Sequence, residues 1–309
     1  MVYGHITHLG SLAAYQKQIV EIIYTFHIPI FLIISGFFFN TKKEPYEVVK
    51  KLASRILRPY LIFISLYLIA LTLIQRTGIP TSNAPPASII DFLDIVFLHP
   101  RGAYWFLHSL LVIQLCLVFS NMIAAQTKLD ESLAVVIALC FLGILCSYGI
   151  LRPQTALYFL LGVALARFGL LVPAAYKTGL ILMTVIWILA GEDIFSFSFT
   201  QVAWSLSIMA FLSGIANLMA TTSIVSIFTW LGRNSLVVLV LHSMFIVLLK
   251  PSSSLFLKVD PSGLTYSAVV VITTTLGCML AAFVFDKIRA SPSLFGDKAI
   301  YSRFKPNSP

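Results

Sequence analysis

His5, His27, His108 and His242 sit in or at the ends of apolar runs. An ionisable side chain in such surroundings is costly, so each is either a hydrogen-bonding group between helices or a group kept for chemistry. An imidazole titrating near pH 6.5 is suited to take a proton from a weak nucleophile such as a hydroxyl. Arg55 and Arg58 form a second constellation. They are three residues apart and would share a helix face. Paired guanidinium groups suit bidentate contacts to phosphate, although the same pair also reads as ordinary basic charge flanking a span. A metal site is not expected, because no two of these histidines stand four apart on one helix and the acidic residues fall mostly in loops.

The elements that must position these groups follow from composition. Hydrophobic residues make up 59% of the 309 residues and charged residues 11%, with a mean hydropathy of +0.93. A soluble domain carries about 25% charged residues. The apolar runs are long and do not alternate, which excludes a β-barrel and predicts an all-α fold: a polytopic transmembrane helical bundle of about ten helices, the first one truncated. Expected spans cover roughly 19–39, 58–76, 104–125, 132–149, 154–171, 176–190, 199–220, 234–250 and 264–285. Met1 to Leu9 reads as the end of a further helix, since nine residues rise only about 14 Å. Either the start lies upstream or the first helix is short. Ser11 to Gln18 reads as a polar connector. Pro29 is expected to kink its span, and Ser35-Gly36 to allow close backbone approach.

The formal net charge of +9 points to cytoplasmic loops rather than to nucleic acid. The segment 40–58 holds Lys42, Lys43, Lys50, Lys51, Arg55 and Arg58 and is expected inside. Alternation puts Lys128, Arg167, Lys177, Arg233, Lys287, Arg289, Lys298, Arg303 and Lys305 on the same side. Only Lys17, Arg76, Arg101, Arg152, Lys250 and Lys258 fall opposite. Residues 77–103 form the longest external loop, carrying Asp91 and Asp94. Residues 1–285 are expected as the membrane domain and 286–309 as a polar cytoplasmic tail, surface-lying or loose. Cys116, Cys140, Cys146 and Cys278 lie within apolar runs and read as buried free thiols. Trp105 and Tyr104 fit an interfacial aromatic belt.

Several stretches together resemble the acyltransferase 3 family of membrane acyltransferases, in particular its fucose 4-O-acetylase-like branch. They are Gly4-His5; Phe26-His27-Ile28-Pro29-Ile30-Phe31 with Ile34-Ser35-Gly36-Phe37; Arg55-Ile56-Leu57-Arg58-Pro59-Tyr60; Tyr104-Trp105-Phe106-Leu107; Tyr158-Phe159-Leu160-Leu161-Gly162; and Leu231-Gly232-Arg233-Asn234-Ser235-Leu236 leading to Leu241-His242. The resemblance implies a ten-helix protein of the cytoplasmic (inner) membrane. It would move an acetyl group from acetyl-CoA, as co-substrate, to a hydroxyl of a cell-surface glycan or its lipid-linked precursor. It implies His5 as the catalytic histidine, with His27 as a second candidate, and Arg55 and Arg58 as the pair at the coenzyme A phosphates. Trp105, His108 and His242 would serve the acceptor. The family's arginine about ten residues before the first-helix histidine would fall ahead of Met1. The expected partners are the bilayer and a glycan, with no nucleic acid and no metal; homo-oligomerisation stays open.

Two other readings compete. Intramembrane histidines and a kinked span also suit a proton-coupled transporter or exporter of a glycan or small solute, although no internal repeat or intramembrane carboxylate supports it. An inactive relative with a truncated first helix is the third.

Overall fold

Long apolar stretches satisfy their own backbone hydrogen bonds by forming helices, which is what the absence of water in a bilayer demands. A computed structural model describes residues 1–40, 44–76, 83–127 and 131–302. The described residues are 78% helical, with no strand among them. In chain order the helices are α1 (Val2–His5), α2 (Ala13–Tyr24), α3 (His27–Phe37), α4 (Pro45–Leu52), α5 (Arg58–Gln75), α6 (Ile89–Phe97), α7 (Tyr104–Thr127) and α8 (Glu131–Ser147). They continue as α9 (Pro153–Arg167), α10 (Tyr176–Ala190), α11 (Phe199–Leu218), α12 (Ser223–Arg233), α13 (Ser235–Leu249), α14 (Ser253–Val259), α15 (Leu264–Lys287) and α16 (Ser291–Phe295).

Among the described residues, seven stretches are long and apolar enough to cross a membrane: Ala13–Phe37, Pro45–Gln75, Tyr104–Thr127, Tyr176–Phe195, Phe199–Leu218, Ser235–Val259 and Leu264–Lys287. The protein is thus an all-helical, multi-pass membrane protein. The expected count of about ten is not reached by length and composition. Helices α8 and α9 have 17 and 15 residues, and the partial first span is the four-residue α1. Helix α6 lies where a loop was expected. Ser88 caps it, its hydroxyl accepting from the Asp91 amide at 3.1 Å, while the Asp91 carboxylate accepts from the Ala87 amide at 2.8 Å. The Ser-x-x-Asp spacing is that of a capping box, with the return bond taken from the Ala87 amide in place of that of Ser88. Lys42, Lys43, Lys128, Arg303 and Lys305, used in the charge argument, lie outside the described residues, as does the start of the 77–103 loop.

The chain divides into two compact units. The first comprises Met1–Gln18, Glu44–Val112 and Leu231–Arg303. In it α13 packs on α15 and α5, and α1 packs on α13 and α15. Its core contains Tyr60, Tyr104 and Tyr266, each at most 1% exposed. A buried phenol needs a hydrogen-bond partner. Tyr104 donates to the Val240 carbonyl at 2.7 Å and Tyr60 to the Val96 carbonyl at 2.5 Å. Between α4 and α5 runs a π-helical turn, Ala53–Leu57, closed by Arg58 N–H donating to the Ala53 carbonyl. Pro59 lies in the first turn of α5. The helical path continues through Arg58 into α5, widened by one residue ahead of the proline ring.

Residues 286–302, expected as a surface-lying or loose tail, fold back onto this unit. Phe295 is 1% exposed and stands against the rings of Phe63 and Phe285. The Asp286 carboxylate accepts from the Ser291 hydroxyl and the Ile300 and Tyr301 amides. Asn234 pairs twice with the Ser302 backbone.

Among the described residues, the second unit takes in 19–40 and those within Ile113–Trp230. Its helical path breaks at Thr25-Phe26 rather than at Pro29 itself. The physical reason is that a proline ring clashes with the carbonyl four residues earlier and supplies no N–H for it. That carbonyl belongs to Thr25. The Ser205 hydroxyl approaches it at 3.4 Å, and the Trp204 indole donates to the Thr25 hydroxyl at 2.8 Å. Helices α3 and α9 pack closely. A Cβ at Gly36 would overlap the Phe159 carbonyl oxygen, and one at Gly162 the Ile33 carbonyl oxygen. On α10, Ile188 and Leu189 are 71% and 80% exposed, which suits a side facing lipid. Of the four cysteines, Cys278 alone is buried and Cys140 is exposed, which corrects the reading of all four as buried thiols.

Gly36→Leu should separate α3 from α9 and cost about 1–3 kcal/mol, the usual penalty of overpacking. Gly143→Leu, at a position with open space around it, should be near neutral. Thermal unfolding of both variants in detergent checks this; equal midpoints would refute the close-packing role.

Candidate active site

Of the candidate site residues His5, His27, Arg55, Arg58, Trp105, His108 and His242, all but His27 fall in the first unit. Helix α1 ends at His5, and its ring stands 5.1 Å, centroid to centroid, from that of His242 on α13. His242 is fully buried. Its Nδ1 lies 2.7 Å from the Val238 carbonyl. A carbonyl only accepts, so Nδ1 carries the proton and Nε2 keeps its lone pair. That Nε2 is buried with no hydrogen-bond partner among the described residues. The site thus brings two imidazoles into contact, one with its tautomer fixed by the helix backbone. Such a pair can accept and hand on a proton.

Arg55 and Arg58 are exposed and both meet the folded-back C-terminal segment. Arg55 is ion-paired to Asp297 at 2.7 Å, with the two side chains 50% and 39% exposed. Arg58 donates to the Pro292 carbonyl at 3.0 Å. His108 is buried and donates from Nε2 to the Phe97 carbonyl at 3.0 Å, beside the Tyr60 ring. Together with Tyr60 on the Val96 carbonyl, it holds the end of α6. Trp105 stands edge-on to Phe106. His27 belongs to the second unit, where its Nδ1 donates to the Ile23 carbonyl at 2.9 Å and its ring stacks on Tyr24. Two small cavities are apolar: about 60 Å³ beside Tyr67 and Met244 in the first unit, and about 140 Å³ beside Phe37 and Leu171 in the second. No histidine or arginine lines either one. No cluster of metal-binding side chains occurs among the described residues.

Sequence reasoning passed over a neighbouring polar cluster. Gln16, in the stretch read as a polar connector, is 1% exposed on α2, and His8 is 9% exposed. Ser267 donates to Gln16 Oε1 at 2.6 Å. Gln16 Oε1 also lies 3.1 Å from His8 Nδ1 and 3.4 Å from the Tyr3 hydroxyl. The one hint in the sequence was a second histidine three residues after His5. The loop carrying His8 is held by a turn ahead of α15. Ser11 N–H donates to the Pro261 carbonyl at 2.9 Å and Leu12 N–H to that of Ser262 at 3.3 Å. Gly10 (φ +86°) and Gly263 (φ +79°) both use the left-handed region that glycine permits, and a Cβ on either would run into the opposite strand of chain. Asp260 organises the turn by accepting from the Ser262 and Thr265 amides. Hydrogen bonds from Ser262, then Thr265, hold its carboxyl well below the usual carboxylate range.

The acyltransferase 3 family model, described as an acyltransferase domain, matches residues 1–283. The chain belongs to this family. The match is to the family as a whole and selects no branch within it. No curated protein and no solved structure matches the chain. In the family member seen here, the first-helix histidine expected from the resemblance is the one in contact with His242.

The depressed carboxyl of Asp260 contributes stability that is present above the carboxyl pKa of the unfolded chain and lost as pH falls through the lower folded value. The turn should therefore hold at neutral pH and loosen only well below about pH 4. Asp260→Ala should loosen it at every pH. Hydrogen exchange at the Ser262 and Thr265 amides reads both effects, and unchanged protection in the variant at pH 7 would contradict the assignment.

Proposed function

We propose that this membrane acyltransferase is an O-acetyltransferase that moves an acetyl group from acetyl-CoA to a hydroxyl of a cell-surface sugar or its lipid-linked precursor. The observation that carries the reading is the His5–His242 imidazole pair within the matched family region. A sugar hydroxyl is a poor nucleophile at neutral pH, and a base that takes its proton during attack typically contributes about 10²–10⁴-fold. In this reading His5 removes the hydroxyl proton as the oxygen attacks the thioester carbonyl. The carbon–sulfur bond breaks, and the thiolate leaves and takes up a proton. His242, with its tautomer fixed by Val238, orients His5 and lines the acceptor side with Trp105 and His108. His27 is held as a second candidate catalytic group.

Arg55 and Arg58 are the proposed partners of the coenzyme A phosphates. Both face the exposed side of their helical turn, and each already engages an acceptor, a carboxylate or a carbonyl. The same chemistry would hold a phosphate oxygen more strongly, since arginine matches its geometry in bidentate fashion. The donor would then have to displace Asp297. The predominance of basic residues on the predicted cytoplasmic side fits a cytosolic donor and placement in the inner membrane.

His5→Ala should lower acetyl transfer by about 10²–10⁴-fold without loss of membrane insertion; radiolabelled acetyl-CoA with membrane glycan as acceptor measures it, and full activity would remove His5 from the mechanism. Arg55→Ala with Arg58→Ala should raise the KM for acetyl-CoA. Asp297→Ala should lower it, by no more than about fivefold, because an exposed ion pair is worth about 1 kcal/mol or less. Opposite signs for the two changes are the expected result; a KM unchanged in the arginine variant would exclude the phosphate role.

A further inference from the structure

The folded-back C-terminal segment lies on the arginine pair and is held firmly on either side of a weak point. Upstream, Phe295 is 1% exposed and packs against Phe63 and Phe285. Downstream, the Ile300 and Tyr301 amides donate to the Asp286 carboxylate at 3.0 and 2.9 Å, and Asn234 pairs with the Ser302 backbone. Residues 296–299 bridge these anchors. They are tied to the π-helical turn through the Asp297–Arg55 ion pair, in which both side chains are exposed. Such a pair biases an equilibrium by about fivefold at most, so the bridge can part from the turn while its anchors hold.

The seat of the bridge is close as well as charged. Gly296 has φ +73°, and a Cβ on it would stand 2.7 Å from the Ser54 carbonyl oxygen, within the turn Ala53–Leu57 that carries Arg55. Glycine is thus required there twice, for its backbone conformation and for space. Arg58 donates to the Pro292 carbonyl, which also accepts the Gly296 amide. A carboxylate therefore occupies Arg55 and a carbonyl occupies Arg58, where a phosphate would otherwise supply the acceptors.

We propose that residues 296–299 form a self-inhibitory gate: Asp297 stands in for an anionic ligand on Arg55, and a polyanion that binds Arg55 and Arg58 opens it. The proposal rests on the phosphate reading of this pair given above and adds the regulation of that site. A closed gate lowers the apparent affinity in proportion to the fraction of molecules in which it is open.

The test is binding, measured apart from turnover. The full chain in phosphatidylcholine nanodiscs is titrated calorimetrically with inorganic pyrophosphate and, separately, with coenzyme A. Asp297→Asn removes the ion pair, but it also removes a negative charge that would disfavour any anion. Gly296→Ala is the charge-neutral counterpart, since it unseats the bridge and leaves every charge in place. Each should tighten pyrophosphate binding by about two- to fivefold. The double variant should gain little over the better single one, because both open the same gate. Gly296→Asn tolerates the left-handed backbone but keeps the Cβ; it should act as Gly296→Ala does, and it carries the comparison if the alanine variant misfolds. Arg55→Ala should weaken binding and erase the effect of Gly296→Ala. Pyrophosphate affinity that is unchanged or weakened by both Gly296 variants would overturn the gate and leave the phosphate site standing. Absence of pyrophosphate binding in the native protein and in every variant would overturn both. Pyrophosphate binding that follows the gate, with no binding of coenzyme A, would support the gate and defeat the donor assignment alone.

Discussion

A polar atom inside an apolar protein in a bilayer has no water to turn to, and that constraint governs most of this structure. Where the helices need a bend or a cross-link, a side chain supplies the missing partner. The carbonyl freed by Pro29 is approached by Ser205. The buried phenol of Tyr104 finds the Val240 carbonyl, and the His242 ring finds that of Val238. A few buried atoms escape this rule, among them Thr274 Oγ1 on α15, which has no part in the proposed chemistry. His242 Nε2, His8 Nε2 and the Gln16 amide all belong to the first unit. Unsatisfied groups are kept at a cost in stability, and function is the usual reason for keeping them.

The same constraint separates two kinds of histidine that look alike in the sequence. His108 spends its Nε2 on the Phe97 carbonyl and so holds the end of α6. His242 also spends one nitrogen on the backbone, yet its other nitrogen stays unpaired against His5. Burial alone would not distinguish them; the fate of the second nitrogen does. The basic pair shows a related division of labour. A π-helical turn carries Arg55 just ahead of Pro59, and such turns recur at functional positions because they rotate side chains out of the regular helical sequence. Residues 286–302, folded back through Phe295, Asp286 and Asn234, bring a carboxylate to that arginine.

Much was legible from residue order alone. Length and hydropathy of the apolar runs determine an all-helical membrane protein, because a backbone in lipid has few other ways to bond itself. Pro29 determines a break one turn upstream, and Ser35-Gly36 a place where another backbone can come close, because local sterics suffice for both; that Gly162 on α9 is what comes close was decided by packing. The Ser88-x-x-Asp91 spacing marks the start of α6 within an otherwise polar stretch. The ordered motifs determined the family. What only the tertiary structure decided is contact between residues far apart in the chain: His5 with His242, Gln16 with Ser267, Arg55 with Asp297. The physical reason is that periodicity assigns a side chain to a face of its own helix, whereas the partner on that face depends on how separate helices and loops pack. Gln16 illustrates the limit. In the sequence it is one polar residue in a polar connector, and its burial and its donors exist only once Tyr3, His8 and Ser267 of α15 are packed around it.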